Sequence, residues 1–470
     1  MLKNRNKKKI LLMSDDLRMS SGVGTMSREI VMGTIDHYDW VQLGGAIKHP
    51  EDGKVVDMKD AVKQETGIED AHLMIYPISG YGNQEIVREL IHREKPDAIM
   101  IYTDPRFWIW LFQMEHEVRQ NIPIFYYNIW DDLPYPMWNR DFYDSVDLLM
   151  NISKQTYNLV KNVRSYSHDW GDITYVPHGA NEDLFYPVTE LHSEWKELKS
   201  FKRGLLDTIP NQDELDFILF FNNRNIRRKM PGDVVLAFKT FCDMLPKEKA
   251  DKCALVMHTT PVDDNGTDLP RVVDDIAPDC HVIFSTQKLE SKHLNFLYNM
   301  ADVTINIASN EGWGLGTTES LMTGTPIILN VTGGMQDQCG FKYKGKYLTY
   351  KDYEWVHTLH DDRKWANNKD LTWGKWVKPV WPSNRSMVGS PPTPYIFDDR
   401  CRFDDVAQLI KDWYDEGKEN RTKYGEVGRA YCFREESGMT ANLMCQNFIK
   451  DMDNTFDNWV SRKPYEMFKI

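Results

Sequence analysis

Residues 309–320 read SNEGWGLGTTES, directly after an apolar run, Val303–Ile307, that has the length of a buried strand. Gly312, Gly314 and Gly316 let the backbone approach a ligand closely and aim its amides outward. The pattern predicts a helix that begins at Thr317 or Thr318 with a threonine as N-cap, so that the free N–H groups of its first turn form a seat for a phosphate. Glu319 then falls in that first turn, at the positive end of the helix dipole. Read only structurally, the stretch is a capped helix after a glycine turn, with Glu311 and Glu319 solvated.

Working outward from this loop, the second half of the chain alternates strands and helices. Strands are expected at Phe217–Phe221, Ala254–His258, His281–Phe284, Val303–Ile307 and Pro326–Leu329, and helices at Pro231–Leu245, Lys288–Met300 and Thr318–Met322. The first half has the same rhythm. Strands are expected at Ile10–Met13, Ala98–Tyr102, Ile124–Ile129 and Leu148–Ile152, with helix-length segments at Gln84–Arg93 and Phe107–Val118. After the first strand, SSGVGTMS gives a glycine turn, and a helix is expected from Met26. Alternation of this kind implies parallel sheets of βαβ units, and a chain of 470 residues exceeds what one hydrophobic core usually serves. The expectation is an α/β protein of two Rossmann-like domains, 1–200 and 201–440, with a polar linker, or a linker with a short helix, near Pro187–Glu214. A helix at 441–470 is expected to return to the first domain.

Residues 341–397 break the rhythm with five tryptophans (Trp355, Trp365, Trp373, Trp376 and Trp381) and a PPTP run. So long an irregular segment inside a domain is usually functional or flexible.

The formal charge of −13 favours solubility and speaks against a nonspecific polyanion-binding surface, so no stable nucleic-acid partner is expected. The basic run Lys3, Arg5, Lys7, Lys8 and Lys9 reads as a solvated terminus. Seven scattered cysteines with no C-x-x-C pair indicate reduced thiols rather than a disulfide framework or zinc site. The first apolar stretch is too short for a signal peptide, and no run approaches a membrane span. A cytoplasmic protein, with a peripheral membrane visit left open, is the expectation.

The segment EGWGLGTTE, followed by SLMTGTPIILN and then TGG, resembles the signature of the glycogen-synthase- and sucrose-synthase-like glycosyltransferases, family 4 of the usual classification. These are retaining enzymes of the two-Rossmann glycosyltransferase-B fold. The spacing from Glu311 to Glu319 agrees with the family pattern. FFNNRNIRRK resembles the family's strand-end element that meets the donor pyrophosphate, with Arg224 and Lys229 five apart. SGVGTMSRE, YVPHGANEDLFYP and YNMADVTINIASNEG are similar to further family elements, so the resemblance spans roughly residues 10 to 335. The chain departs from the pattern at Asn223, where the family commonly has Gly, and at Asp337, where it has Glu. It also ends a first-domain strand in NIWDD where the family often has a His-bearing segment.

What the resemblance implies is specific. Glu319 would bind the ribose hydroxyls, Glu311 would contact sugar hydroxyls near the reacting centre, and Arg224 and Lys229 would stabilise the leaving diphosphate. The backbone of Trp313, Gly314, Leu315, Gly316 and Thr317 would hold sugar and phosphate, with Gly22 and Gly24 of the first domain facing the donor phosphates. Glu311 is not assigned as a nucleophile, because the family is thought to react on one face of the sugar. Neither a cofactor nor a metal is implied, and the one D-x-D, Asp451–Asp453, reads as solvent-facing on the terminal helix. The donor would be a nucleoside diphosphate sugar, UDP or GDP being commonest, bound between the domains. Asp104, Arg106, Trp130 and Asp131 are acceptor-side candidates because each follows an expected strand. The acceptor itself stays open: a carbohydrate, a lipid-linked sugar, a protein or a modified nucleobase. The oligomeric state is equally open. Rival readings are a nucleotide-sugar epimerase, a catalytically silent binding protein and, resting on GVG alone, a dinucleotide oxidoreductase.

Overall fold

The structure, a computed structural model, describes residues 7–164, 171–352 and 367–464. Lys3, Arg5, Trp355 and Trp365 lie outside these residues. The chain divides into two compact units. The first comprises residues 1–130, 135–178 and 441–470, and the second residues 131–134 and 179–440.

The first unit is built on an eight-stranded sheet in the order β3-β4-β2-β1-β5-β6-β7-β8. Its strands are β1 (Lys8–Asp15), β2 (Tyr38–Ala46), β3 (Val56–Asp57), β4 (Leu73–Ser79), β5 (Ala98–Tyr102), β6 (Ile124–Asn128), β7 (Leu148–Asn151) and β8 (Asp172–Tyr175). All neighbours run parallel except the β3/β4 edge pair. The central strands are apolar on both faces because helices cover both, as at Ile10–Met13 and Ile99–Ile101, all fully buried. The terminal helix, Ala441–Asn458, packs on the helix Gly22–Thr34 of this unit, and Cys445 lies where a Cβ on Gly33 would fall.

The second unit carries a six-stranded parallel sheet. Its strands are β9 (Phe217–Asn222), β10 (Cys253–His258), β11 (His281–Ser285), β12 (Val303–Asn306) and β13 (Ile327–Asn330), in the order β11-β10-β9-β12-β13, with Val377–Val380 added beside β13. Both sheets therefore reverse their strand order about the first strand of the unit, β1 or β9. In such sheets ligands bind beyond the carboxyl ends of the strands at that reversal.

Several expectations need correction. The helix after β1 begins at Gly22 rather than Met26, because Ser21 is its N-cap and accepts a bond from the Gly24 amide. Phe107–Val118 is not one helix but a 3₁₀ turn, Pro105–Trp108, and two short helical turns. Strands β2, β3, β4 and β8 were not anticipated; β2 carries two glycines and β4 a proline, residues that ordinarily mark breaks. The polar segment Pro187–Glu214 carries the short helix of its second reading, Trp195–Leu205, but it lies within the second unit, and the units change over at 178/179 rather than 200/201. Within the described residues of the insert, Trp376 is buried and stacks on Tyr431, and Asn384–Ser390 pairs with Thr393–Arg400 in a hairpin. Asp453 is not simply solvated, since the Tyr38 hydroxyl donates to it at 2.7 Å. Every cysteine is a free thiol.

Candidate functional site

At the second unit's strand reversal, β9 and β12 lie side by side and deliver two loops to the same edge. The loop after β12 is tied to the loop after β9 through its backbone: the Ser309 amide donates to the Arg228 carbonyl at 2.8 Å. Arg228 Nη1 in turn donates to the Asn310 carbonyl and to Glu311 Oε2, each at 2.8 Å. Lys229 also bonds to Glu311 Oε2. Glu311 is therefore not solvated but held by two cations, with only 13% of its side chain exposed.

The electrostatics follow from that enclosure. Burial pushes the Glu311 carboxyl up, but Lys229 and Arg228 more than offset this and hold it below the usual carboxylate range. Burial depresses the Lys229 ammonium, and Glu311 opposes that only in part. The short segment 131–134, which groups with this unit, adds a pair of acids. Burial raises Asp131, and burial together with Asp131 raises Asp132 well above its ordinary value.

Glu319 occupies a separate environment. Asn222 Nδ2 donates to the Tyr298 hydroxyl at 2.7 Å, and that hydroxyl donates to Glu319 Oε2 at 2.6 Å. Burial raises Glu319 to about 7, against the opposing pull of the Tyr298 bond. The helix beside it begins at Leu315, with Gly314 in the left-handed region as its N-cap, so no threonine caps it. Thr317 instead donates to the Gly314 carbonyl, and Thr318 accepts from the buried Trp313 indole at 2.9 Å. Glu319 consequently sits one turn deeper than the first turn.

The glycines divide into two kinds. Gly316 serves close packing, since a Cβ there would lie 3.0 Å from the Tyr298 hydroxyl. Gly333 and Gly334 press directly on the loop: added Cβ atoms would stand 2.0 Å from the Glu311 carbonyl oxygen and 2.1 Å from that of Gly312. The Gly334 amide donates to the Glu311 carbonyl at 3.0 Å. These contacts fix the loop that carries Glu311.

Arg224 is not beside Glu311. Its side chain is 65% exposed and pairs with Asp263 at 3.5 Å, whereas Arg228 takes the place next to Lys229 that the family resemblance assigns to Arg224. Arg228, Tyr298, Asn222 and Asp132 were missed as site residues. Arg228 was visible only as one of three adjacent basic residues, and Tyr298 only as the first residue of YNMADV.

The remaining candidates lie in the first unit, Asp131 aside. Ser21 accepts from the Gly24 amide at 2.9 Å and donates to Asp15 Oδ2 at 2.6 Å. Gly24 is packed, a Cβ there falling 2.6 Å from the Met19 carbonyl oxygen, while Gly22 has open space around it. Asp104 caps the turn Pro105–Trp108 and is bonded by the Arg106 guanidinium. Trp130 is a packing residue: its carbonyl accepts from Thr156 at 2.7 Å and its ring meets Trp138 edge-on. Among the described residues, no group of three or more His, Cys, Asp and Glu side chains is arranged to hold a metal ion, and no helix is long and apolar enough to cross a membrane.

No protein-family model and no curated protein matches the chain. Solved structures do match over nearly its whole length. Sucrose-phosphate synthase from Thermosynechococcus elongatus superposes with a TM-score of 0.64 at 14% identity, covering 96% of this chain and 100% of that one. HepE from Anabaena, solved with UDP and glucose, gives 0.61 at 10% identity over 95% and 100%. A UDP-forming trehalose-phosphate synthase from Burkholderia xenovorans gives 0.58 at 10% identity over 95% and 99%. The fold is that of the glycosyltransferase-B enzymes. At these identities the likeness shows the fold alone.

Proposed function

We propose that this protein is a retaining, metal-independent glycosyltransferase that moves a sugar from a nucleoside diphosphate sugar to an acceptor hydroxyl. The observation that carries the reading is the enclosed Glu311–Lys229–Arg228 cluster at the strand reversal of the second unit. Within the cluster one carboxylate faces two cations, so a bound diphosphate can take over both cations from Glu311. A diphosphate that gains charge as it departs is the group such a site stabilises. Donor oxygens that take over Lys229 and Arg228 would release Glu311 towards the sugar hydroxyls.

Glu319 fits a diol. A carboxylate held from one side by Tyr298 keeps lone pairs for two hydroxyls of a ribose. Uridine and guanosine diphosphate sugars are the donors this reading favours, UDP being the nucleotide bound in the Anabaena neighbour. Arg224, exposed and paired with Asp263, is assigned to the outer edge of the diphosphate rather than to its centre.

Thermal stabilisation by a panel of UDP, GDP and their hexose conjugates tests the proposal. A ligand at one hundred times its Kd stabilises by about 2.7 kcal/mol, a shift readily measured. Stabilisation that Glu319→Ala weakens is the expected outcome; no stabilisation by any member sinks the reading.

A further inference from the structure

At the corresponding strand reversal of the first unit, where β1 and β5 adjoin, the residues after β2, β4 and β5 build a layered stack. Gly45, near the end of β2, packs against the Tyr81 ring: a Cβ there would stand 2.8 Å from Tyr81 Cδ1. Phe107 stacks on the Tyr81 ring, centroids 4.2 Å apart and planes within 5°. Phe107 itself is 42% exposed.

The stack is anchored, not incidental. The Tyr81 hydroxyl donates to Asp15 Oδ1 at 2.9 Å, and Trp108 meets the Tyr81 ring edge-on at 5.4 Å. Asp15 also accepts from Ser21, the N-cap of the glycine-turn helix, so the platform and that helix start share one carboxylate. The chain reaches Phe107 through Thr103, whose φ of +143° is costly for a β-branched residue. Its carbonyl is held by the Tyr126 hydroxyl at 3.1 Å. Strain maintained in this way concentrates where a side chain must be aimed for function. Next to the platform stand Asp104 and Arg106, two hydrogen-bonding groups on the same turn.

The geometry points to Phe107 as the stacking floor of an acceptor subsite for a neutral sugar ring. A pyranose offers weakly positive C–H bonds to the negative face of the ring and hydroxyls to the flanking carboxylate and guanidinium. A nucleic-acid acceptor would bring phosphates to an edge where Asp15, Asp16 and Asp104 outnumber Arg18 and Arg106, in a chain of net charge −13. This inference rests on the transferase reading for its purpose, but the subsite can be tested apart from it.

Saturation-transfer NMR on the full chain, with UDP present throughout, uses methyl α-glucopyranoside, methyl α-mannopyranoside and maltose as probes and thymidine 5′-monophosphate as the other arm. At least one glycoside is expected to show ring-proton saturation that falls about 5- to 10-fold in Phe107→Ala and in Phe107→Leu and returns in Phe107→Tyr, the effect of removing and restoring one aromatic face. UDP-dependent stabilisation should be unchanged in all three. No glycoside signal on the native protein, undiminished signal in the folded Phe107→Leu variant, or saturation of the nucleotide alone overturns the subsite. Absence of stabilisation by UDP, with glycoside saturation intact, overturns the donor assignment instead.

Discussion

The two strand reversals of this chain use the same topology for opposite chemistry. At β9/β12 the strand ends deliver buried charge: Glu311 between Lys229 and Arg228, with Asp131, Asp132 and Glu319 perturbed by burial. At β1/β5 they deliver a ring stack on glycine, with Asp15 spent on anchoring Ser21 and Tyr81. The lesson is that position in a doubly wound sheet marks where a ligand goes, while the residues at that position decide what the ligand is. A polyanionic leaving group suits the first arrangement and a neutral ring the second.

The sharpest way to break the comparison is to remove charge from the second unit. Lys229→Met leaves Glu311 with Arg228 alone and, in the proposed reaction, would remove a cation from the departing diphosphate. A loss of about 10²- to 10³-fold in kcat/KM is expected, the range seen when one preorganised charge-stabilising group is deleted. Arg224→Ala, at an exposed position, should cost less than about 3-fold in the same steady-state assay. Equal losses for the two would contradict the exchange of roles between Arg224 and Arg228.

Backbone contact gives the next largest effect. An alanine at Gly333 would drive a Cβ to within 2.0 Å of the Glu311 carbonyl oxygen, at a φ of +53°. Backbone meets backbone there, so nothing can yield cheaply, and a loss of about 3 kcal/mol or more is expected in denaturant unfolding of the second unit. Gly45→Ala in the first unit meets the Gly80 carbonyl oxygen and the Tyr81 ring at 2.8 Å each, a shallower overlap than the 2.0 Å at Gly333. Its cost should be smaller, about 1–3 kcal/mol, the usual range for overpacking.

This contrast also shows what the sequence could and could not reveal. Strands β5, β9 and β10 were legible because uninterrupted apolar runs leave little else possible. Strand β2 was not, because Gly44 and Gly45 weaken a strand pattern; Gly45 is there for Tyr81, a partner 36 positions away. The same limit applies at the site. The family resemblance pairs Arg224 with Lys229, but the 3₁₀ turn Arg227–Lys229 carries Arg228 to Glu311. A threonine N-cap was expected where Gly314 provides a left-handed one. Side-chain direction within a turn depends on dihedral angles that residue spacing does not encode.

Acidity separates the units in sign. Glu319 is raised from its ordinary 4.5 to about 7, so its contribution to second-unit stability is complete below about pH 4.5 and is lost as pH rises through 7. Asp132, raised by burial and by Asp131, acts in the same direction. His178 in the first unit is depressed by burial to about 3, and its Nδ1 lies 2.7 Å from the Tyr127 hydroxyl. Its contribution is complete above about pH 6.5 and is lost as pH falls towards 3. Between pH 5 and 7.5, hydrogen exchange should therefore show protection of β9–β13 weakening, by up to roughly 3 kcal/mol from Glu319, while that of β5–β7 strengthens. Glu319→Gln should flatten the first trend and leave the second. Parallel trends in both units would show that these two groups do not control them.

The smallest stability effect is expected at Gly22, and its smallness makes it informative. Nothing lies within 4 Å of a Cβ built there, and alanine is the better helix former at the start of Gly22–Thr34. Gly22→Ala should leave the melting temperature unchanged or slightly raised. If the glycine-turn backbone meets donor phosphates, the same methyl group must hold them off and raise the donor KM by about 3- to 10-fold, with the loop itself intact. A variant with unaltered stability and unaltered KM would make Gly22 a helix-start residue alone and confine the donor to residues of the second unit. Gly24→Ala cannot make that distinction: its Cβ would meet the Met19 and Asp16 carbonyl oxygens, so any loss of turnover would be confounded with loss of fold.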